Sequence, residues 1–343
     1  MTNDFLTTQL ADIPRTVLGH LPTPLERLTR LSEELGGPNI WVKRDDCTGL
    51  ALGGNKTRKL EYLLGEAVAQ GRDTVVTFGA IQSNHARQTA AACAKLGLTC
   101  HLVLSDQVHS EDARYKTGGN VLLDRLCGAT LHFVAPDDRD AIRDVLSKLG
   151  ASTNLYIIPG GGSNATGALG YARCALELRE QTAALNITPA SIVHASSSAG
   201  TQAGLLWGFD QLCGSGARAY DVLGINVYHD EPETLTNNIA KILEDLDVRF
   251  GTQSACSAAI QINHAYRGPG YGQVTGETLA AIQLTASLEG LIFDPVYSGK
   301  ALAALIDQIS VGAFAKDEDV ILMHTGGSPA LNVYHDSFDK VFG

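Results

Sequence analysis

The sequence predicts an α/β protein of two domains, and three observations support this. Short apolar runs rich in β-branched residues alternate with segments whose apolar residues recur every three or four positions, as strands alternating with helices would. A proline- and glycine-rich stretch, 159–164, interrupts the alternation, which then resumes. The 343 residues suffice for two hydrophobic cores. Apolar strands joined by helices favour parallel sheets covered on both faces.

The first half of the chain begins with an extended proline segment, 21–25, and a predicted short helix, 26–35. The alanine-rich segment 84–96 is a predicted helix, with Ser83 or Asn84 as N-cap and Gly97 as its end. The other elements expected here are strands 40–43, 74–78, 98–104, 130–134 and 155–158, a helix from Lys56 closed by Gly71, and helices 120–126 and 138–149.

The second half repeats the alternation after the interruption, which is a candidate hinge or domain boundary. A glycine-rich loop is expected at 266–276. The elements expected here are helices 167–184, 231–246, 277–288 and 300–309, a helix from about residue 200, and strands 191–195, 221–227 and 320–324.

Composition excludes several functional classes. A net charge of −11 argues against a nucleic-acid or anionic-membrane surface, and no apolar run is long enough to span a bilayer. The N-terminus lacks the basic start and apolar core of a secretory signal. Seven scattered cysteines, an odd number, indicate reduced thiols in a cytoplasm. The ten histidines show no metal-ligand spacing, so no catalytic metal is expected.

The most informative stretch is Gly53-Gly54-Asn55-Lys56, which leads into a predicted helix. The apolar face of that helix is formed by Leu60, Leu63, Leu64, Ala67 and Val68. Lys56 therefore lies just inside a helix N-terminus, where unpaired N–H groups and the macrodipole disfavour a cation. A desolvated lysine there tends towards the free amine, which can form a Schiff base with a carbonyl cofactor.

Three interpretations of this stretch compete. Gly49 and Gly54 have P-loop spacing, but Asn55 is inserted before Lys56-Thr57, so the pattern is missed by one residue. A plain surface lysine after a turn is the second. A pyridoxal phosphate (PLP) lysine is the third, and it requires a phosphate cradle, a partner for the ring nitrogen and a carboxylate site elsewhere in the chain.

A second glycine loop, Ser196-Ser197-Ser198-Ala199-Gly200-Thr201, follows a predicted strand and opens a helix. Free N–H groups and hydroxyls at such a turn form an anion cradle, and the small residues allow close approach of an anion. An ordinary strand-to-helix turn is the alternative, but we favour phosphate. The loop is not G-x-G-x-x-G, which disfavours a dinucleotide.

Further candidates are each ambiguous alone. Ser83-Asn84-His85 begins a helix and could bind a carboxylate or only cap it. Tyr297 and Tyr271 lie in predicted loops, where each could act as acid, base or wall, or simply pack. Thr325, after the last strand, could meet a ring nitrogen or cap a helix.

Seven motifs in order together resemble one family. They are Lys43-Arg44-Asp45-Asp46, Gly53-Gly54-Asn55-Lys56, Gln82-Ser83-Asn84-His85, Gly162-Ser163-Asn164, Ser198-Ala199-Gly200-Thr201, Asp294-Pro295-Val296-Tyr297-Ser298-Gly299-Lys300 and His324-Thr325-Gly326-Gly327. The chain resembles the D-cysteine desulfhydrase / 1-aminocyclopropane-1-carboxylate (ACC) deaminase family of fold-type II PLP enzymes. The resemblance implies a tryptophan synthase β-like fold of two open, twisted, mainly parallel sheets with helices on both faces. It also implies a large PLP-binding domain, 1–53 and 165–343, and a small domain, 54–164.

The resemblance further implies roles for individual residues. Lys56 would hold PLP covalently and move the Cα proton, and Asn55 would bond the cofactor's 3-oxygen. Thr325 would face the ring nitrogen, and as a neutral hydroxyl it would not keep that nitrogen protonated. The phosphate cradle would consist of Ser198, Ala199, Gly200 and Thr201. The substrate would contact Ser83, Asn84, His85, Tyr271, Tyr297 and Ser298, with Ser83 and both tyrosines also catalytic.

One departure bears on the reaction. ACC deaminases carry Glu after the motif tyrosine, and this chain has Ser298. The resemblance therefore favours β-elimination over ring opening of ACC. The expected function is L-cysteate sulfo-lyase, which gives pyruvate, ammonia and sulfite, with His264, Arg267 and His85 as candidate sulfonate donors. D-cysteine desulfhydrase, which releases hydrogen sulfide, is the alternative, and ACC deaminase and a non-catalytic PLP- or ligand-binding protein follow. A small amino-acid substrate and a homodimer are expected.

Overall fold

The computed structural model describes residues 5–151, 154–213, 220–254 and 259–342. Its strands are β1 Leu25–Arg27, β2 Asn39–Lys43, β3 Thr74–Ala80, β4 Thr99–Ser105, β5 Thr130–Val134, β6 Leu155–Ile158, β7 Pro189–Ser196, β8 Asp221–Asn226, β9 Gln261–Asn263 and β10 Asp319–Met323. Its α-helices are α1 Phe5–Ala11, α2 Thr29–Leu35, α3 Lys56–Ala69, α4 Asn84–Leu96, α5 Gly119–Leu126, α6 Arg139–Gly150, α7 Ala165–Leu185, α8 Gly200–Cys213, α9 Pro232–Phe250, α10 Gly276–Glu289, α11 Ser298–Ser310 and α12 His335–Phe342.

The strands form two sheets. The smaller has the order β5-β4-β3-β6 and is parallel throughout. The larger has the order β1-β2-β10-β7-β8-β9, and within it only the β1–β2 pair is antiparallel. The predicted α/β architecture of two mainly parallel sheets is confirmed.

Helices cover both faces of the larger sheet. Adjacent residues of a strand point to opposite faces, and Ile192 and Val193 of β7 enter two different cores. Ile192 packs in the core that holds Trp207 of α8, whereas Val193 packs in the core that holds Leu302 of α11. A third core, with Leu63 of α3, lies against the smaller sheet. Burial on both faces explains why adjacent residues such as Ile192 and Val193 are both apolar.

The residues predicted to begin and end α4 do so in the structure. The Ser83 hydroxyl accepts from the Ala86 N–H at 3.2 Å, which makes Ser83 the N-cap. Gly97 ends the helix with a φ of 71°, a left-handed conformation that glycine adopts without strain.

Other predictions were wrong. Residues 26–35 are not one helix, because residues 25–27 pair antiparallel with β2 and the helix begins only at Thr29. Val68 was placed on the apolar face of α3, but it is 46% exposed. The sequence reasoning also missed α1, α12 and the three-residue strand β9.

A buried ionic network fixes the start of α3. Arg58, which is 1% exposed, donates to Asp45 at 2.8 and 2.9 Å and to Glu177 of α7 at 2.9 Å. Lys43 at the end of β2 donates to Glu177 at 3.1 Å. Because the network joins β2, α3 and α7, it holds Lys56, two residues before Arg58, in a fixed position relative to the larger sheet.

Two general properties complete the description. Within the described ranges, no helix is both long and apolar enough to cross a membrane. The cysteines whose side chains are described are all free: Cys47, Cys93, Cys100, Cys127 and Cys174.

Candidate cofactor and substrate site

A cavity of about 590 Å³ lies where the carboxyl ends of strands from both sheets face each other. Its lining includes Ala80 at the end of β3, Ser196 at the end of β7 and Thr325 just after β10. The predicted site residues that line it are Asn55, Lys56, Ser83, Asn84, His85, Ser198, Ala199, Thr201, Tyr271, Tyr297 and Thr325. The structure thus brings together side chains spread over 270 positions of sequence.

Lys56 is the first residue of α3, whose N-cap residue Asn55 makes no side-chain capping bond, and the Thr57 N–H donates to Gln88 Oε1 at 2.9 Å. Desolvation lowers the pKa of the Lys56 amine to about 8. The lowered pKa raises the fraction of free amine near neutral pH, where the ammonium still predominates. The preceding loop needs glycine, since a Cβ on Gly54 (φ 133°) would lie 2.4 Å from Nε2 of Gln88.

The predicted anion cradle lies between β7 and α8. The Gly200 N–H donates to the Ser163 hydroxyl at 3.3 Å, and Ser163 Oγ lies 2.8 Å from Ser198 Oγ. A Cβ on Gly200 would lie 2.8 Å from Ser163 Oγ and 3.0 Å from Lys59 Nζ. Gly200 is not itself among the lining residues, but its missing side chain leaves the cradle open for an anion.

Lys59 is a site residue that the sequence reasoning missed. Its side chain is 0% exposed, and its Nζ donates to the Gly161 carbonyl at 3.2 Å and to Ser163 Oγ at 3.0 Å. Both acceptors are neutral, and burial together with nearby Lys56 holds the pKa of Lys59 well below its usual range. A phosphate in the cradle would supply the missing negative charge, so these residues fit PLP. The available signal was a second lysine three positions after Lys56, one helical turn away.

Two residues flank the position where the cofactor ring would lie. Asn55 Nδ2 donates to the Thr201 hydroxyl at 3.3 Å, so Asn55 adjoins the cradle. The Asn55 backbone N–H donates to the Thr325 carbonyl at 3.1 Å, which fixes Thr325 beside the loop that carries Lys56. Their roles towards the cofactor stay predictions.

The start of α4 has the features of a carboxylate site. Ser83 Oγ accepts a hydrogen bond from the Ala86 N–H. The N–H groups of Asn84 and His85 have no acceptor in the described part of the chain. Unpaired N–H groups at a helix N-terminus favour an anion.

His85 presents an acceptor to its surroundings, not a cation. The Thr77 hydroxyl donates its only proton to the Ile158 carbonyl at 2.9 Å, so the 2.8 Å contact between Thr77 and His85 Nε2 requires that Nε2 carries the proton. Burial and the positive charges of Lys56 and Lys59 hold the pKa of His85 well below its usual range. The ring is therefore neutral, and its buried Nδ1 has no hydrogen-bond partner among the described residues, which does not support the prediction that it donates to a sulfonate.

The two predicted tyrosines form a hydroxyl pair. Tyr271 and Tyr297 share a short hydrogen bond, and burial raises the pKa of both phenols. Tyr228, another residue absent from the predictions, packs edge-on against Tyr271 at a centroid distance of 4.9 Å. Of two paired hydroxyls, one proton bridges the oxygens and the other remains available to a bound molecule.

Three predicted residues lie elsewhere. Ser298 is 0% exposed behind the cavity wall, and its hydroxyl donates to Asp294 at 2.6 Å, so it is not placed to bind substrate. Arg267 pairs with Asp230 at 2.6 Å beside a neighbouring cavity, and His264 Nδ1 lies 3.1 Å from Asn226 Nδ2. Neither Arg267 nor His264 lines the central cavity.

Comparisons with known proteins agree with this geometry. Residues 17–326 match the family described as "Pyridoxal-phosphate dependent enzyme". A D-cysteine desulfhydrase of Serratia proteamaculans is 43% identical over 341 residues, covering 96% of this chain and 98% of the relative. A D-cysteine desulfhydrase of Yersinia enterocolitica is 44% identical over 330 residues, covering 95% and 98%. A crystal structure of an ACC deaminase homologue superposes with a TM-score of 0.87 at 33% identity, covering 99% of each chain.

These matches confirm three predictions: the fold-type II architecture, PLP as the cofactor, and a place near D-cysteine desulfhydrases and ACC deaminases. The predicted class of PLP-dependent carbon–sulfur lyase agrees with them. They do not support the finer assignment to an L-cysteate sulfo-lyase branch. The chain belongs to the family of pyridoxal-phosphate dependent enzymes.

Proposed function

We propose that this protein catalyses β-elimination on D-cysteine, converting D-cysteine and water to pyruvate, ammonia and hydrogen sulfide. The observation that carries this choice is the neutral wall around the tyrosine pair. Within the described residues, the cationic side chains that line the cavity are Lys56 and Lys241, and Lys241 is paired with Glu244 and Asp245. A thiol needs no cation to bind, whereas a sulfonate is held by cationic side chains or by several convergent hydrogen-bond donors. The names of the bacterial relatives point the same way.

PLP supplies the electron sink that accepts the electron pair when the Cα proton leaves. In the proposal Lys56 would hold the cofactor before the substrate binds. Its amine, once released, would take that proton, and a pKa of about 8 suits a base working near neutral pH. Lys59, Ser198 and the N–H groups of the cradle hold the phosphate. The N–H groups at the start of α4 and the side chain of Asn84 hold the substrate carboxylate.

The tyrosine pair serves the departing sulfur. Because burial keeps both phenols protonated, the free proton of the Tyr271–Tyr297 pair can be donated to the leaving thiolate. The carbon–sulfur bond breaks, and the thiolate takes this proton and leaves as hydrogen sulfide. Hydrolysis of the remaining three-carbon enamine gives pyruvate and ammonia.

L-Cysteate sulfo-lyase, favoured by the sequence motifs, is second among the candidates. Of its three proposed sulfonate donors, His264 lies outside the cavity, Arg267 is paired with Asp230, and His85 is neutral. We also propose, from the family resemblance, a cytoplasmic homodimer and a division into domains 1–53 with 165–343 and 54–164.

End-product analysis tests the proposal. Purified holoenzyme is incubated separately with D-cysteine, L-cysteine, L-cysteate and ACC, and pyruvate, sulfide, sulfite and 2-oxobutyrate are measured. Pyruvate and sulfide in equal amounts from D-cysteine are expected. Sulfite from L-cysteate at a higher kcat/KM would return the assignment to the sulfo-lyase, and 2-oxobutyrate from ACC would return it to the deaminase.

A further inference from the structure

The inference concerns the residues beneath the proposed carboxylate site, and it rests on the proposed function. We propose that Arg87 and Asn120 are positioning residues, which lock the side-chain amide of Asn84 with its nitrogen towards the cavity. Neither residue lines the cavity, and both are fully buried. They would act on the substrate only through Asn84.

The hydrogen bonds determine which way the Asn84 amide faces. Asn84 Oδ1 lies 2.9 Å from Asn120 Nδ2 and 3.5 Å from Arg87 Nη1. A guanidinium has donors but no acceptor, so the Asn84 atom facing Arg87 must be the oxygen. The amide nitrogen is then left on the side of Asn84 that lines the cavity, where it can donate to a carboxylate.

The orientation of Asn120 is itself fixed from two sides. Its Nδ2 also donates to the Gln82 carbonyl at 2.9 Å, and its Oδ1 accepts from Arg87 Nη1 at 3.0 Å. Its backbone N–H donates to Gln82 Oε1 at 2.9 Å. Reversing the Asn120 amide would break these bonds, so Asn120 presents a donor to Asn84.

Arg87 links this amide to the loop before the reactive lysine. Its Nη2 donates to the Gly53 carbonyl, three residues before Lys56. Its nearest acid is Asp124, and neither carboxylate oxygen of Asp124 has a hydrogen-bond partner in the described ranges. The guanidinium therefore places a weakly compensated positive charge under a helix N-terminus that would receive a carboxylate.

A purely structural role would not need this arrangement. A buried guanidinium is costly when its charge is not balanced, and a neutral donor would fill the same space at lower cost. A negative group in the cavity would balance this charge. Among the described residues, the N–H groups of Asn84 and His85 have no acceptor, so they can donate to the same group.

The test compares a ligand with its decarboxylated analogue. D-Alanine has no leaving group, and ethylamine is the same molecule without the carboxylate. The dissociation constant of each from holoenzyme is measured by the change in the cofactor's visible spectrum. A residue that positions a carboxylate donor affects the first ligand alone, whereas a general loss of structure affects both.

Asn120→Asp is the main variant. It keeps size and the acceptor for Arg87, but replaces the donor to Asn84 by an acceptor, so the Asn84 amide loses the contact that holds its oxygen away from the cavity. Loss of a charge-assisted hydrogen bond predicts that D-alanine binds about 10- to 100-fold more weakly, with ethylamine within about twofold. Asn120→Ala removes the donor without reversing the amide and is expected to show a smaller loss with the same selectivity. If Asn120→Asp does not fold, Asn120→Ala serves as the main variant.

Two controls separate the possible failures. Asn154→Asp is the matched control, since exposed Asn154 also contacts an arginine and a backbone carbonyl but lies far from the cavity. It should change neither constant. In Asn84→Ala, D-alanine binding should fall, and adding Asn120→Asp should change it little further.

The outcomes are distinct. If Asn84→Ala leaves D-alanine binding unchanged, the carboxylate site of the proposed function is wrong. If Asn84→Ala weakens D-alanine but Asn120→Asp and Asn120→Ala do not, the positioning role is wrong while the carboxylate site stands. Equal weakening of both ligands by the Asn120 variants also overturns the positioning role.

Discussion

Lys59→Met should weaken cofactor binding and stabilise the apoprotein at the same time. Methionine roughly matches the lysine stem in volume, so the change removes the ammonium without opening a large cavity. In the apoprotein this side chain is fully buried on two neutral acceptors, Gly161 O and Ser163 Oγ, which favours its neutral amine. In the proposed holoenzyme it would pair with the phosphate as an ammonium. The two states therefore respond with opposite signs.

The magnitudes follow from the contacts. A hydrogen bond between an ammonium and a phosphate contributes about 1.5–3 kcal/mol, so the PLP dissociation constant should rise about 10- to 150-fold. Removing this buried amine, which must lose a proton on folding, should raise the apoprotein's free energy of unfolding by about 1 kcal/mol or more at neutral pH. Since the folded-state pKa of Lys59 lies below its unfolded value, the unfolded chain binds more protons, and this group's stability cost falls as pH rises towards 10.5. The variant should lose that part of the pH dependence.

Two titrations measure the effects. PLP binding is followed by absorbance at equilibrium, and apoprotein stability by urea denaturation at several pH values. Lys95→Met is the control, because Lys95 also donates to a carbonyl, Leu18 O at 3.1 Å, but lies on the exposed part of α4. An unchanged PLP dissociation constant together with a less stable apoprotein would refute the reasoning, since Lys59 would then be a structural cation.

Three further predictions follow from the titratable groups. Because desolvation lowers the pKa of Lys56 to about 8, kcat for D-cysteine should rise with pH through about 8 and then level off, since kcat reports the substrate complex, in which the Lys56 amine would no longer hold the cofactor. Arg58→Met leaves Asp45 buried without its guanidinium and Glu177 with Lys43 alone, and should cost about 3–5 kcal/mol in urea denaturation. Burial raises the pKa of Asp124 to about 8, so the folded protein holds a proton that the unfolded chain has released, and stability contributed by this group is lost as pH rises from about 4 to 8. Asp124→Asn should therefore gain more stability over the parent at pH 8 than at pH 5, measured by the urea midpoints.

Local signals predicted much of the fold. Capping by Ser83 and termination by Gly97 fix α4 through contacts a few residues apart, and the sequence placed this helix at its observed bounds. The helix predicted to begin at residue 26 was wrong at residues 26 and 27 for the opposite reason. Their strand conformation depends on pairing with β2, in which Leu25 lies opposite Lys43, a contact that no local pattern records.

In the site, too, features set by neighbouring residues were predicted, whereas features set by distant residues were not. The backbone position of Lys56 at a helix start was readable from the glycines before it and the apolar spacing after it. The burial of Lys59, the commitment of Ser298 to Asp294 and the pairing of Arg267 with Asp230 all depend on residues distant in sequence. Residue type indicated which side chains could bind an anion, but only the packing showed which of them face the cavity.

Mapping the covalent attachment of the cofactor tests the central claim most directly. Holoenzyme is reduced with borohydride, digested, and its peptides are analysed by mass spectrometry. The account predicts a pyridoxyl adduct on Lys56 alone, in wild type and in Lys59→Met, and none in Lys56→Ala. An adduct on Lys59, or no adduct in a protein that still converts D-cysteine, would contradict it.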